Sequence, residues 1–236
     1  FNMISDHIER LLAQYDSSLP IQQSTTIPKE WYTDPAFLSH EYRTTFSRTW
    51  QCVGRSEQVR DPGQYFTTSI ANEPVLVIRG DDDILRGFFN VRRHKAAAVV
   101  TDHAGETTKL RCQYHGWTYD LHGNLRGLPE FDGVEGFCKE QNGLVPIGAV
   151  TEIGSFVWVH LDAAGEPANS YLAPLIDWLN ARLANAPLRF AYRHSYDLNC
   201  NWKVYVDNYL DGGYHVNTIH PGLASVLDYK DYRTLL

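Results

Sequence analysis

The chain has 236 residues, of which 43% are hydrophobic and 21% charged, as expected of a globular protein with one large or two modest domains. A formal net charge of −7 argues against nucleic acid as a partner, and no apolar run is long enough to cross a membrane. The first residues lack the features of a secretory signal, and the four cysteines are scattered, which predicts a reducing compartment such as the cytoplasm.

The N-terminal third changes from helical to β character. Apolar spacing predicts a helix over residues 4–15, and Asp34 followed by Pro35 predicts the N-cap and first turn of a second helix. Residues 1–44 are therefore predicted to form an N-terminal helical segment. Short β-branched and aromatic runs separated by turns then predict a small all-β sandwich or barrel over residues 45–165.

A second domain is predicted after a linker-like break at residues 163–167. Within residues 166–236 the pattern predicts a helix over 171–184, a strand over 189–199 and a helix over 201–214. Helices at both ends of a β region predict an α+β fold class.

Two short segments of the β region carry residue types that ligate metals. His94, Cys112 and His115 offer two imidazoles and one thiolate, which suits a [2Fe–2S] centre with two Cys on one iron and two His on the other. The missing thiolate would belong at Arg92, whose guanidinium has no lone pair to donate. Zinc is an alternative metal for the three remaining ligands, and unrelated histidines beside a small buried cysteine are the alternative without metal.

A second candidate metal site lies near the end of the chain. His215 and His220 are too far around a regular helix to share a face, but Pro221 predicts that the helix ends and that His220 folds back. Such a pair supplies two corners of a two-His, one-carboxylate Fe(II) site. Asp211, on the same helical face as His215, is a candidate to orient it, and Asp207 is the alternative. A solvated acidic helix face is the interpretation without metal.

Both segments resemble the α subunits of ring-hydroxylating oxygenases. The run CQYHGWTYD at 112–120, with Gly-Leu-Pro at 127–129, resembles their Rieske domain, in which Arg92 stands at the position of a cluster cysteine. The run NWK at 201–203 and the run DNYLDGGYHV at 207–216 resemble their mononuclear iron motif, most closely that of choline monooxygenase and related quaternary-amine monooxygenases. The second resemblance covers only the beginning of the catalytic domain.

The resemblance implies an all-β Rieske domain with N-terminal helices, followed by the start of an α+β, helix-grip-like catalytic domain. It also implies a terminal oxygenase component that hydroxylates a small organic substrate with O₂. A flavin- or ferredoxin-type reductase would supply electrons through a Rieske [2Fe–2S] cluster to a mononuclear Fe(II) held by His215 and His220. Asp211 would bridge the electron transfer between subunits of a homotrimer. The expected location is the cytoplasm, or the plastid stroma in a plant.

Two departures from the family pattern predict altered activity. Arg92 is expected to impair the cluster. The family's third iron ligand lies further downstream, and the later carboxylates Asp228 and Asp231 are poor substitutes. The alternative function is therefore a cluster-less, truncated homologue or inactive mutant that acts as a binding or regulatory subunit. A stand-alone Rieske electron carrier is a third hypothesis, against which His215 and His220 argue because a carrier needs no second iron.

Overall fold

The structure is a computed structural model that describes residues 5–93, 96–131, 133–183 and 188–227. Three residues of the sequence analysis lie outside the described residues: His94, Asp228 and Asp231. The chain forms two compact units, one of residues 41–191 and one that combines residues 1–40 with residues 192–236. Helices and strands are both present, which confirms the predicted α+β class. The domain boundaries at 44 and 165 stay predictions.

The unit of residues 41–191 contains ten described strands in three antiparallel sheets, with the orders β1-β10-β9, β4-β3-β2-β5 and β6-β7-β8. The predicted all-β texture is thus confirmed within this part of the chain. The strands are β1 Gln51–Arg55, β2 Gln64–Ile70, β3 Glu73–Arg79, β4 Leu85–Phe89, β5 Ala104–Glu106, β6 Leu110–Arg111, β7 Thr118–Tyr119, β8 Leu125–Gly127, β9 Ala149–Ile153 and β10 Phe156–His160.

Strand β3 lies between two hydrophobic cores. Side chains alternate between the two faces of a strand, and residues 75–78 are fully buried on both faces. Leu76 and Ile78 belong to the cluster that contains Trp117 and Tyr119, whereas Val75 and Val77 belong to the cluster formed with β10. A strand buried on both faces fixes the register of its neighbours, so β3 gives the loops at the end of β4 a rigid support.

Helices flank the strands in sequence. The helices are α1 Asp6–Leu12, α2 Glu30–Thr33, α3 Pro35–Glu41, α4 Ala168–Tyr171, α5 Ala173–Leu183, α6 Trp202–Leu210, α7 Val216–Ile219 and α8 Pro221–Ala224. Further helical turns are the π-helical Tyr42–Phe46 and the 3₁₀ segments Ser56–Val59, Lys139–Asn142 and Gly212–His215. The predicted cap is confirmed, because Asp34 Oδ1 accepts a hydrogen bond of 2.7 Å from the backbone N–H of Ala36 in α3. None of the described helices combines the length and apolar character needed to cross a membrane.

The strand predicted over residues 189–199 is wrong. Residues 188–198 have no regular secondary structure, and their alternating aromatic side chains, including Tyr192 and Tyr196, are exposed. Alternation of polar and aromatic residues is only a local preference, and a strand needs a neighbour that supplies hydrogen bonds and a face to cover. In the part of the chain that the structure describes, no strand pairs with this segment.

A buried amide closes the loop that follows β4. Asn90 accepts hydrogen bonds from the backbone N–H groups of Val99, at 3.1 Å, and Val100, at 3.0 Å. Its own amide donates to the Val100 carbonyl oxygen at 2.7 Å. One side chain thus satisfies three backbone groups of the loop, and the loop containing Arg92 is tied at its base.

Within the unit of residues 1–40 and 192–236, the N-terminal helices contact α6. The Tyr32 hydroxyl donates a hydrogen bond to Asp207 Oδ2. The ammonium group of Lys203, whose side chain is buried, lies 5.8 Å from the centre of the Tyr32 ring, 5.6 Å from that of Phe37 and 5.1 Å from that of Trp202. These contacts explain why residues 1–40 group with residues 192–236.

Substitution of Asn90 by Leu is expected to destabilise the protein. The change leaves three backbone groups of the loop without their partners, and each buried unsatisfied group costs about 1–3 kcal/mol. We expect the free energy of unfolding to fall by roughly 2–4 kcal/mol in urea denaturation. Asn217→Leu, at an exposed position in α7, is the control and should change it little. A loss below about 1 kcal/mol for Asn90→Leu would contradict the assigned role.

Substitution of Tyr32 by Phe tests the contact with α6. Burial, together with the hydrogen bond to Asp207 and the negative charge of that carboxylate, raises the pKa of Tyr32 from its ordinary 10.0 to about 12. Loss of the hydrogen bond is expected to cost about 0.5–1.5 kcal/mol. Because the pKa is raised in the folded state, this advantage of the wild type is complete below pH 10 and is lost as the pH rises towards 12. Thermal unfolding across this range measures it, with the exposed Tyr209→Phe on α6 as the control.

Candidate metal centres

The side chain of Arg92 extends from the loop after β4 towards the loop between β6 and β7. It is only 1% exposed, and its Nη1 donates a hydrogen bond to His115 Nδ1 at 2.9 Å. Its guanidinium carbon lies 5.1 Å from the centre of the Tyr114 ring. The backbone N–H of Arg92 donates to the carbonyl oxygen of Ala97 at 3.1 Å. The arginine therefore connects the two segments that carry the predicted cluster ligands.

A tight turn places Cys112 and His115 in the second segment. The N–H of Gly116 donates to the Cys112 carbonyl oxygen, and the N–H of Cys112 donates to the Trp117 carbonyl oxygen, both at 2.9 Å. Gly116 has φ +71°, and a Cβ at this position would lie 3.2 Å from Pro129 Cγ, so the turn favours glycine. Cys112 is fully buried, and its thiol lies 3.6 Å from the carbonyl oxygen of Ala98 in the first segment.

Aromatic side chains cover this region. Trp117 is buried, and the rings of Phe131 and Phe137 meet it edge-on with centroid distances of 5.9 Å. Tyr119 is fully buried, and its hydroxyl has no hydrogen-bond partner in the described residues. Burial raises the pKa of Tyr119, and the nearby Cys112 raises it further.

The described residues do not fit a [2Fe–2S] cluster with its usual four ligands. Arg92 has no lone pair, and the hydrogen bond from its guanidinium occupies the lone pair on His115 Nδ1, so that His115 carries its proton on Nε2. The other cysteines do not compensate, because Cys138 donates to Glu140 Oε2 at 3.0 Å and Cys52 is exposed on β1. Within the described ranges, Cys112 and His115 belong to no group of three potential metal ligands. The role of His94 as a metal ligand stays a prediction.

His215 and His220 lie close together at the end of the α6 region. Their ring centroids are 5.2 Å apart, with 67° between the ring planes. Helix α6 ends at Leu210, with Asp211 as its C-cap, and so stops earlier than the predicted helix over 201–214. A 3₁₀ turn carries His215, and His220 directly precedes the proline that begins α8. His215 Nδ1 is buried without a hydrogen-bond partner among the described residues. A buried ring nitrogen without a hydrogen-bond partner, beside a second imidazole, fits two corners of an iron site.

The two candidate carboxylates contact other groups. Asp211 is exposed at the C-terminal end of α6, and its N–H donates to the Asp207 carbonyl oxygen at 2.9 Å. Asp207 accepts the hydrogen bond from Tyr32. In the described part of the chain neither carboxylate bonds to His215 Nδ1. Sequence reasoning missed Tyr32, because no local pattern relates it to a helix so far along the chain.

One further cluster was missed by the sequence analysis. His122 Nε2 lies 2.6 Å from Asp81 Oδ1, and Asp82 forms two hydrogen bonds of 2.7 Å with Arg86. These bonds hold the pKa of Asp82 well below its usual range. The Asp-rich turn at 80–83 was a visible signal, but the pairing with His122 depends on the tertiary fold. Because Arg86 occupies the Asp82 carboxylate, the cluster is a surface ion-pair network that joins two turns.

Comparison with known proteins extends these observations. Residues 49–138 match the Rieske [2Fe-2S] domain family, and residues 186–234 match the ring-hydroxylating α-subunit catalytic domain family. The chain is 35% identical to the chloroplastic choline monooxygenase of Arabidopsis thaliana, with 99% of this chain and 57% of that protein covered. It is 33% identical to the carnitine monooxygenase oxygenase subunit of Acinetobacter pittii, with 88% of this chain and 56% of that protein covered. The chain thus spans about half the length of these relatives.

Solved structures agree with the sequence relatives. The crystal structure of the quaternary ammonium Rieske monooxygenase CntA in complex with L-carnitine matches with a TM-score of 0.79 and 32% identity, over 85% of this chain and 57% of that chain. A naphthalene 1,2-dioxygenase bound to phenanthrene matches with a TM-score of 0.73 and 27% identity, over 79% of this chain and 43% of that chain. Along the chain, the match to the Rieske domain family precedes the match to the catalytic domain family. The chain therefore belongs to the family of Rieske-type ring-hydroxylating oxygenase α subunits.

Proposed function

We propose that this chain forms part of the terminal component of an oxygenase that hydroxylates a small organic substrate, of the quaternary-amine class, with O₂. The observation that carries the proposal is the pair His215 and His220, with an orphaned buried nitrogen, inside the segment that matches the catalytic domain. The substrate class is supported by the relatives, which are named as choline and carnitine monooxygenases.

The residues of the chain have defined roles in this proposal. An Fe(II) bound at this position would supply the activation of O₂. His215 and His220 hold two of its coordination positions, and the third protein ligand is not among the described residues. Asp211, exposed at the end of α6, is available to a neighbouring subunit, which supports a role in electron transfer within a homotrimer. The electron donor is a flavin- or ferredoxin-type reductase.

Arg92 impairs this function. Arg92 stands where the family has a cluster cysteine, so one thiolate is missing, and its hydrogen bond to His115 Nδ1 occupies an imidazole lone pair. Electrons therefore have no normal entry point in this chain. The same observation favours the second candidate function, a cluster-less homologue that acts as a binding or regulatory subunit. Zinc held by Cys112 with His94 and His115 is a possible substitute only if Arg92 releases His115.

Substitution of Arg92 by Cys tests the assignment of the cluster ligands. After anaerobic reconstitution with iron and sulfide, we expect the variant to become brown and to hold about two irons and two sulfides per chain, whereas the wild type stays colourless. Visible absorption and chemical analysis measure this gain. Arg93→Cys is the matched control, because it adds a thiol one residue away and should gain no cluster. A colourless Arg92→Cys protein would refute the ligand assignment.

Substitution of His215 or His220 by Ala tests the second metal site. Each change removes one of two imidazole ligands, and we expect the affinity for Co²⁺, a spectroscopic substitute for Fe(II), to fall at least about tenfold. Titration followed by visible absorption measures the affinity. His122→Ala is the control, because His122 belongs to the surface ion-pair network and should leave Co²⁺ binding unchanged. Equal binding by the wild type and both variants would contradict the proposed site.

A further inference from the structure

We propose that Arg92 takes over the structural role of the missing cluster, so that the β region of this chain folds and keeps its shape without metal. In a metal-dependent domain, bonds from two segments to one metal centre hold those segments together, and metal binding contributes directly to folding. Here the segments are residues 90–100, the first ligand loop, and residues 112–117, the second ligand loop. The inference rests on the proposed loss of the cluster and states what replaces it.

The first observation is the position of the guanidinium. Arg92 starts in the first ligand loop, and its Nη1 bonds to His115 of the second ligand loop at 2.9 Å. The Tyr114 ring stacks on the His115 ring with a centroid distance of 4.1 Å and lies 5.1 Å from the Arg92 guanidinium carbon. Arg92, Tyr114 and His115 therefore form one contiguous cluster that connects the loops at the place where a shared metal centre would connect them.

The second observation is the burial of the charge. A cation that is 1% exposed loses its hydration, which costs several kcal/mol unless hydrogen bonds and π-electrons replace the water. His115 supplies a neutral acceptor, and Tyr114 supplies an aromatic face. An arginine that merely replaced a ligand would be expected to turn its flexible side chain to solvent. Its retention inside the protein indicates that it is part of the packed structure.

The third observation is that protein groups alone close both loops. Asn90 makes three hydrogen bonds at the base of the first ligand loop, and the Arg92 N–H bonds to Ala97 within it. The second ligand loop is closed by the backbone bonds of Cys112. The thiol of Cys112 reaches the first loop at Ala98. Among the described residues, the Arg92–His115 hydrogen bond and the Cys112–Ala98 contact therefore connect the two loops without a metal.

The test compares protein from iron-replete and iron-depleted cultures, before and after treatment with an iron chelator. For the wild type we expect the same unfolding midpoint in all samples, and equally slow amide hydrogen exchange in both ligand loops. Arg92→Met keeps an unbranched, flexible side chain but removes its donors and charge, and it should speed exchange in both loops at least about tenfold. The control Arg93→Met, at an exposed neighbour, should exchange like the wild type.

The proposal is overturned if iron removal lowers the unfolding midpoint of the wild type, or if Arg92→Met exchanges as slowly as the wild type. Should Arg92→Met fail to fold, Arg92→Gln, which keeps an amide donor but no charge, supports the proposal if both loops exchange faster than in the wild type and opposes it if they exchange as slowly. These outcomes differ from a failure of the proposed function. A colourless Arg92→Cys protein would reject the cluster ligands, yet the wild type and Arg92→Met would still show whether the guanidinium holds the loops together.

Discussion

The hydrogen bond from Arg92 to His115 is the interaction on which the proposed metal chemistry of the β region depends. It crosses from one ligand loop to the other and uses the imidazole nitrogen lone pair that would otherwise be available to a metal. In our proposals, the same contact connects the loops and occupies a nitrogen that a cluster would need. A guanidinium is well suited to this position, because it is planar, permanently charged and able to donate in the plane of an imidazole while facing an aromatic ring.

The sheets beneath the two ligand loops are packed in a way that tolerates arginine at the position of a cluster cysteine. Strand β3 contributes alternate side chains to two hydrophobic cores, and neither core requires a metal for its packing. Asn90 and Gly116 then define the backbone of the two loops through hydrogen bonds and a left-handed turn. Because the loops are carried by well-packed sheets, we expect a change of the side chain at position 92 to alter the chemistry of the region more than its fold.

The unit that contains α6 shows a different relation between sequence and geometry. His215 and His220 approach each other because α6 ends at Leu210 and because a proline follows His220, both of which are local backbone effects. The helix itself is held by Tyr32 and by Lys203 among aromatic rings. The N-terminal helices are therefore part of the structure that supports the histidine pair, rather than a separate segment.

The sequence by itself determined the features that depend on nearest neighbours. The cap at Asp34, the β texture of the central region and the turn back at His220 follow from side-chain and backbone preferences over a few residues. The motifs likewise identified the family, because their residue types and spacing are legible without coordinates. Local preference failed at residues 189–199, where alternation predicted a strand that has no partner within the described structure.

Only the tertiary structure decided how distant residues meet. The sequence indicated that Arg92 cannot be a ligand, but not that it is buried against His115, since this depends on two loops being brought together by separate sheets. The hydrogen bond between Tyr32 and Asp207 and the pairing of His122 with Asp81 could not be predicted from the sequence either. The physical reason is common to all three: the free energy of such contacts arises from the burial and desolvation that the complete fold creates, and no short stretch of chain encodes it.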